Sequence, residues 1–229
     1  MAQTALVTGG TGGLGVAVVE RFLRDGWRVV VPWFAERELE RLPARDGLDL
    51  RRADLSDPAE VAQVAAAASA EADAPLGAVV NLVGGFAAGR RVHETPIEDF
   101  EAQFRLNLRP TYLVTQAALP ALIEVGGAIV CVSTRAALEP FSGAAGYVAS
   151  KAAVLAFVRA LAVEYRDDGV RANAILPSVI DTPANRAAMP SADHARWVRP
   201  EEIAGVIAFL CSRQSAPTSG AAVPVYGRA

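Results

Sequence analysis

The chain is poor in the residues that build disulfide scaffolds and metal centres. Its 229 residues include two cysteines and two histidines. Cys131 and Cys211 each sit inside an apolar run, so both read as buried small hydrophobic side chains of a protein in a reducing compartment. His93 and His194 lie far apart with few neighbouring ligand residues, and no metal is expected. There is no block or stripe of Lys and Arg. Acids and bases are interspersed, the formal net charge is −3, and nucleic acid is excluded as the main partner. No apolar run approaches the ~20 residues that cross a membrane. The opening MAQTALVTGG lacks the charged and apolar regions of a signal peptide. These absences predict a cytoplasmic protein. No linker, repeat or low-complexity tract divides the chain, which predicts one domain over 1–229.

What is present is apolar and alternating. Hydrophobic residues make up 52% of the chain, enough for a sizeable core. Short apolar runs at 4–8, 27–32, 48–54, 78–83, 128–133, 170–176 and 222–226 read as strands. Helical patterns fall at 13–25, 35–42, 57–71, 96–124, 145–167 and 200–212. Alternation of this kind predicts an α/β domain: a Rossmann-like, doubly wound parallel sheet of about seven strands with helices on both faces. Residues 178–198 show no clear period and contain Pro183, Asn185 and Pro190, so they read as a long loop over a substrate.

The first strand runs into TGGTGGLG, residues 8–15, and then into a helix. Glycines there permit a tight turn, and the N–H groups of a helix N-terminus suit a pyrophosphate. In the context strand–glycines–helix, the motif predicts dinucleotide binding by Thr8, Gly9, Gly10, Thr11, Gly12, Gly13, Leu14 and Gly15. The choice between NAD and NADP stays open. An acid after the second strand favours NAD and an arginine favours NADP. Here Trp33 and Phe34 are followed by Glu36 and Arg37.

Further on, YVASK places Tyr147 and Lys151 four positions apart, on one face of a helix. A free tyrosine titrates near ~10, about 3 units too high for efficient proton exchange at neutral pH. An ammonium roughly 4 Å away supplies on the order of 4 kcal/mol at an effective dielectric of about 20, which closes that gap. The expectation is therefore a phenol made acidic by its lysine.

The spacing T-G-x-x-x-G-x-G from Thr8 to Gly15, together with the Tyr–Lys pair, resembles the short-chain dehydrogenase/reductase family, and the likeness runs along nearly the whole chain. The resemblance implies NAD or NADP as cofactor and hydride transfer between nicotinamide and a small carbonyl or alcohol. It assigns Tyr147 as acid/base, Lys151 as its partner, and Asn107 as holder of a water beside Lys151. The substrate-holding hydroxyl falls thirteen residues before the tyrosine, on Thr134, with Ser133 as the alternative. Asp54, Leu55, Asn81, Gly84, Pro177, Ile180 and Thr182 match cofactor-binding positions. The stretches 81–89 and 181–197 resemble the dihydropteridine reductase branch, which makes pteridine reduction the alternative activity. Phe86, Phe141, Met189 and Trp197 are the candidate substrate residues. A dinucleotide-binding regulator without catalysis is the alternative of another class, against which the retained Tyr–Lys pair argues. Family members assemble through their long helices, so a homodimer or homotetramer is expected.

Overall fold

The computed structural model describes residues 2–229. Its strands are β1 (Thr4–Thr8), β2 (Arg28–Trp33), β3 (Leu48–Arg52), β4 (Leu76–Asn81), β5 (Ala128–Val132), β6 (Arg171–Pro177) and β7 (Ala222–Val225). The helices are α1 (Gly15–Arg24), α2 (Pro58–Ala68), α3 (Ile97–Asn107), α4 (Arg109–Val125), α5 (Ala145–Glu164), α6 (Pro183–Ala188) and α7 (Pro200–Cys211). The strands form one parallel sheet in the order β3-β2-β1-β4-β5-β6-β7. The winding reverses between β1 and β4, and a ligand crevice is expected beyond the carboxyl ends of the strands at that point.

The sheet is buried on both faces, which is why its strands are apolar runs without alternation. Successive residues of β1 serve opposite layers. Leu6 joins Val79, Ile129 and Leu122 on the face covered by α2, α4 and α5, whereas Ala5 and Val7 join Val18, Phe22, Ile203 and Ile207 under α1 and α7. Local signals set the helix ends. Asp57 caps α2, its carboxylate accepting from Ala59 N–H at 2.7 Å, and Gly126 closes α4 in the left-handed conformation, φ +61°.

Three sequence expectations change. The helix expected over 96–124 is two helices that break at Leu108, because Pro110 has no N–H to donate to the Leu106 carbonyl. The loop expected over 178–198 contains α6: Pro183 starts that helix at its first position, and Thr182 Oγ1 caps it by accepting from Asn185 N–H at 3.3 Å. Ile180 then pairs with Val198 in an isolated bridge. Finally, α5 is long and apolar enough to cross a membrane by length and composition. Its Val154, Leu155, Val158 and Leu161 are buried against the sheet, and Lys151 is buried with them.

Candidate active site

The carboxyl ends of β1, β4, β5 and β6 bring the sequence candidates to one edge of the sheet. Two glycines make the turn after β1 obligatory. Gly9 has φ +66°, and a Cβ on Gly15 would collide with the carbonyl oxygen of Gly9. Gly12 N–H donates to Gly9 O at 3.0 Å, and Gly10 packs against Val31 and Val19. No side chain caps α1 at Leu14, and no acid lies in its first turn. The helix therefore presents N–H groups to an anion, and the cradle fits a pyrophosphate. Thr8 Oγ1 ties this loop to β4 by accepting from Leu82 N–H at 3.1 Å. Thr182 faces the loop from the other side: a Cβ on Gly13 would lie 3.0 Å from its methyl.

The remaining cofactor candidates divide. Asp54 holds a local turn, accepting from Ser56 N–H at 2.8 Å, and that bond keeps its carboxyl below the ordinary range. The cap of α2 is left to Asp57. Leu55 packs against the core, and Pro177 ends β6 at the same edge. Asn81 is buried: its Nδ2 donates to Thr115 Oγ1 at 3.1 Å, and its Oδ1 has no hydrogen-bond partner among the described residues. Gly84, by contrast, stands where two functional groups meet. A Cβ there would lie 2.7 Å from Asn107 Oδ1 and 2.9 Å from Lys151 Nζ.

At the start of α5, Tyr147 is half-buried, with the edge of Phe86 against its ring at 5.0 Å. Burial pushes its phenol above the ordinary tyrosine value, and the Thr134 hydroxyl beside it pulls the other way. Thr134 is thus the hydroxyl that faces the tyrosine. Ser133 is committed elsewhere, donating to the Lys151 backbone carbonyl at 2.8 Å. The one-residue offset puts the two hydroxyls on opposite sides of the chain, and it removes Ser133 from the candidate catalytic set.

The expected acidification of Tyr147 by Lys151 is absent in this structure. Lys151 is 5% exposed, and its ammonium donates to the Val132 carbonyl at 3.0 Å. Burial brings its pKa down to about 8, opposed by the nearby Cys131. The amine's bond goes to the end of β5, and in this structure it makes none with the phenol. Asn107, fully buried, accepts from Gly85 N–H at 2.9 Å and donates to Ser150 Oγ at 3.0 Å. Ser150 in turn donates to the Tyr147 carbonyl at 2.8 Å. This braced serine escaped the sequence reading, although a hydroxyl three positions after the tyrosine was in plain view.

The substrate candidates also divide. Phe86 and Phe141, 64% and 49% exposed, lie 6.2 Å apart at the mouth beside Tyr147. Met189 is exposed past the end of α6, and its carbonyl accepts from His194 Nε2 at 2.9 Å. Trp197 is 8% exposed and its ring lies against that of His194, centroids 4.4 Å apart and tilted, so it packs within the 178–198 segment. Among the described residues no cluster of His, Cys, Asp and Glu fits a metal ion.

Comparisons with known proteins agree with this geometry. A family model described as enoyl-(acyl carrier protein) reductase matches residues 9–227. The 2-(R)-hydroxypropyl-CoM dehydrogenase of Xanthobacter autotrophicus is 31% identical, covering 99% of this chain and 98% of its own. The chain belongs to the short-chain dehydrogenase/reductase family. It is an NAD(P)-dependent oxidoreductase of that family. A 3-ketoacyl-(acyl-carrier-protein) reductase from Brucella melitensis, solved with NADH, superposes with a TM-score of 0.86 at 28% identity, covering 98% of this chain and 97% of that one. A blue fluorescent protein from a metagenomic library, solved with NADPH, does so with a TM-score of 0.85 at 29% identity, covering 99% and 97%. The expected likeness to the dihydropteridine reductase branch finds no specific support in these relatives, whereas family, fold and cofactor class stand as the sequence implied.

Proposed function

We propose that this short-chain dehydrogenase/reductase reduces a small ketone or aldehyde, or oxidises the matching alcohol, with Tyr147 as acid/base. The observation that carries the reading is the placement of the Thr134 hydroxyl beside the Tyr147 phenol, at a mouth flanked by Phe86 and Phe141. When bound, the nicotinamide dinucleotide supplies or accepts the hydride. Two hydroxyls converging on one carbonyl oxygen stabilise the negative charge that develops there. Tyr147 then gives its proton to that oxygen. Its raised pKa keeps the phenol protonated at neutral pH, in the form needed for reduction. We assign Lys151, one helical turn away, the role of offsetting the phenolate left behind once the cofactor is bound, a pairing this structure does not show, and the Asn107–Ser150 bonds hold Tyr147 in register.

The same reading places the protein in the cytoplasm and pairs it with a second copy. Two free, buried cysteines support a reducing compartment. Tyr112 on α4 and Phe157 on α5, with Phe104 on α3, line one outward apolar hollow of about 410 Å³, which supports assembly through the long helices. Segment 178–198 closes over the substrate.

The decisive experiment measures oxidation of NADH and of NADPH by purified protein against ketones, aldehydes, enoyl thioesters and quinonoid dihydropteridine. Turnover of carbonyls is expected. Turnover confined to the enoyl thioesters or the pteridine overturns the substrate class. Saturable dinucleotide binding with no turnover of any member supports a non-catalytic binder instead.

A further inference from the structure

A cavity of about 690 Å³ opens at the amino ends of the strands, at the far end of the sheet from Tyr147. Gln3, just before β1, and Arg171, the first residue of β6, line it with the end of α5 and the connection from α7 to β7. Its charged lining is all of one sign: Arg159, Arg166, Arg171 and Arg213, with no aspartate or glutamate. Glu124, Glu164, Asp167 and Asp168, acids close by in the chain, form no ion pair with these arginines. Arg159, Arg166 and Arg213 are exposed, and their guanidinium groups make no hydrogen bond among the described residues. Arg171 is half-buried. Its guanidinium donates to Leu210 O and Ser215 Oγ, each at 2.7 Å, and to Ser212 O at 3.1 Å. These acceptors are all neutral, and burial holds the Arg171 pKa below the ordinary arginine value.

An arginine stays charged at every physiological pH. Four of them around one space repel one another, and here no carboxylate offsets them. Uncharged donors stand beside the cations. Ser219 Oγ accepts from Ala172 N–H at 3.2 Å, which leaves its own proton to donate, and the Gln3 side-chain amide makes no hydrogen bond among the described residues. Such a lining suits an anion that only accepts. Planar guanidinium groups pair bidentately with phosphate oxygens, which makes phosphate the matching chemistry. The space is more than one phosphate fills and falls among small-molecule sites, roughly 300–1,000 Å³. No aromatic side chain lines it, so nothing there stacks on a nucleobase. We infer that this cavity binds a chain of phosphates, at a site separate from the dinucleotide cleft. The chain is recognised whether it is inorganic or the tail of a nucleotide.

The test is calorimetric and independent of the proposed reaction. Inorganic triphosphate, ATP and inorganic phosphate are titrated into the wild-type protein and into Arg159→Gln, Arg166→Gln and Arg213→Gln. All three are exposed positions, where substitution leaves the fold intact. Arg105→Gln, on α3 and outside the cavity lining, removes the same charge as a control. The wild type is expected to bind triphosphate saturably, ATP within about threefold of it, and phosphate at least about tenfold more weakly. Each cavity variant should weaken triphosphate at least about fivefold, and Arg105→Gln less than about twofold. Absence of saturable triphosphate binding overturns the proposal. Affinity unchanged in all three cavity variants places the anion elsewhere, the glycine loop included, and overturns it too. An equal loss in Arg105→Gln shows only a general attraction to positive charge and also counts against it. ATP bound more than about tenfold more tightly than triphosphate, and still dependent on these arginines, makes the nucleoside the recognised group and overturns the ligand class.

Discussion

Lys151 is the only lysine in the chain; the other 21 of its 22 basic Lys and Arg residues are arginines. That accident makes its titration directly visible. A lysine with an ordinary pKa of 10.5 is brought to about 8 by burial, a difference of about 3 kcal/mol at about 1.4 kcal/mol per unit. Below pH 8 both folded and unfolded states hold the proton, and the full cost of burying the ammonium weighs on the fold. Between 8 and 10.5 the unfolded chain keeps the proton while the folded one has lost it, so this group's penalty shrinks as pH rises. Replacing the lysine, Lys151→Met, should remove the penalty. The lost bond to Val132 O costs about 1 kcal/mol in return, leaving the variant about 1–2 kcal/mol more stable than wild type near neutral pH. By about pH 9.5 that advantage should be gone, because wild type regains about 1.4 kcal/mol per unit above 8. Urea denaturation of the two proteins side by side measures the difference and cancels the contribution of Tyr147. Carbon-13-labelled lysine gives one side-chain signal whose midpoint reads the pKa itself. A midpoint near 10.5, or a stability difference that ignores pH, would refute the buried-amine reasoning.

Three further outcomes follow from the same geometry. Gly84→Ala inserts a methyl against Asn107 Oδ1 and Lys151 Nζ; turnover should fall at least about tenfold while the melting temperature drops by only a few degrees, since a flexible amine can yield at small cost. Thr134→Ala should lower kcat by about a hundredfold with dinucleotide affinity kept, whereas Ser133→Ala should cost about 1 kcal/mol of stability through the lost bond to the Lys151 carbonyl and leave kcat nearly intact; reversed results would exchange the roles of the two hydroxyls. Gly15→Ala should abolish dinucleotide binding in calorimetry, because its Cβ cannot coexist with the Gly9 carbonyl.

The sheet was legible because its strands are short, apolar on both faces and separated by helical patterns, and β1 falls on the expected residues 4–8. Helix ends were less so. Pro110 was visible, but only the chain's path shows that it divides a helix, and Pro183 read as a breaker where it begins one. In the site, Tyr147, Lys151, Thr134 and Asn107 come together at one sheet edge. Their hydrogen bonds could not be read in advance, because the Lys151 acceptor is a backbone carbonyl and the Ser133 acceptor another. Backbone acceptors carry no sequence signature.

The proposed reaction requires Tyr147 as the proton carrier. Tyr147→Phe keeps the ring that packs on Phe86 and removes the hydroxyl alone. Single-turnover measurement with a saturating accepted carbonyl should show hydride transfer slowed by at least about a thousandfold, with dinucleotide affinity within about twofold of wild type. Hydride transfer at the wild-type rate in that variant would show that the proton comes from another group.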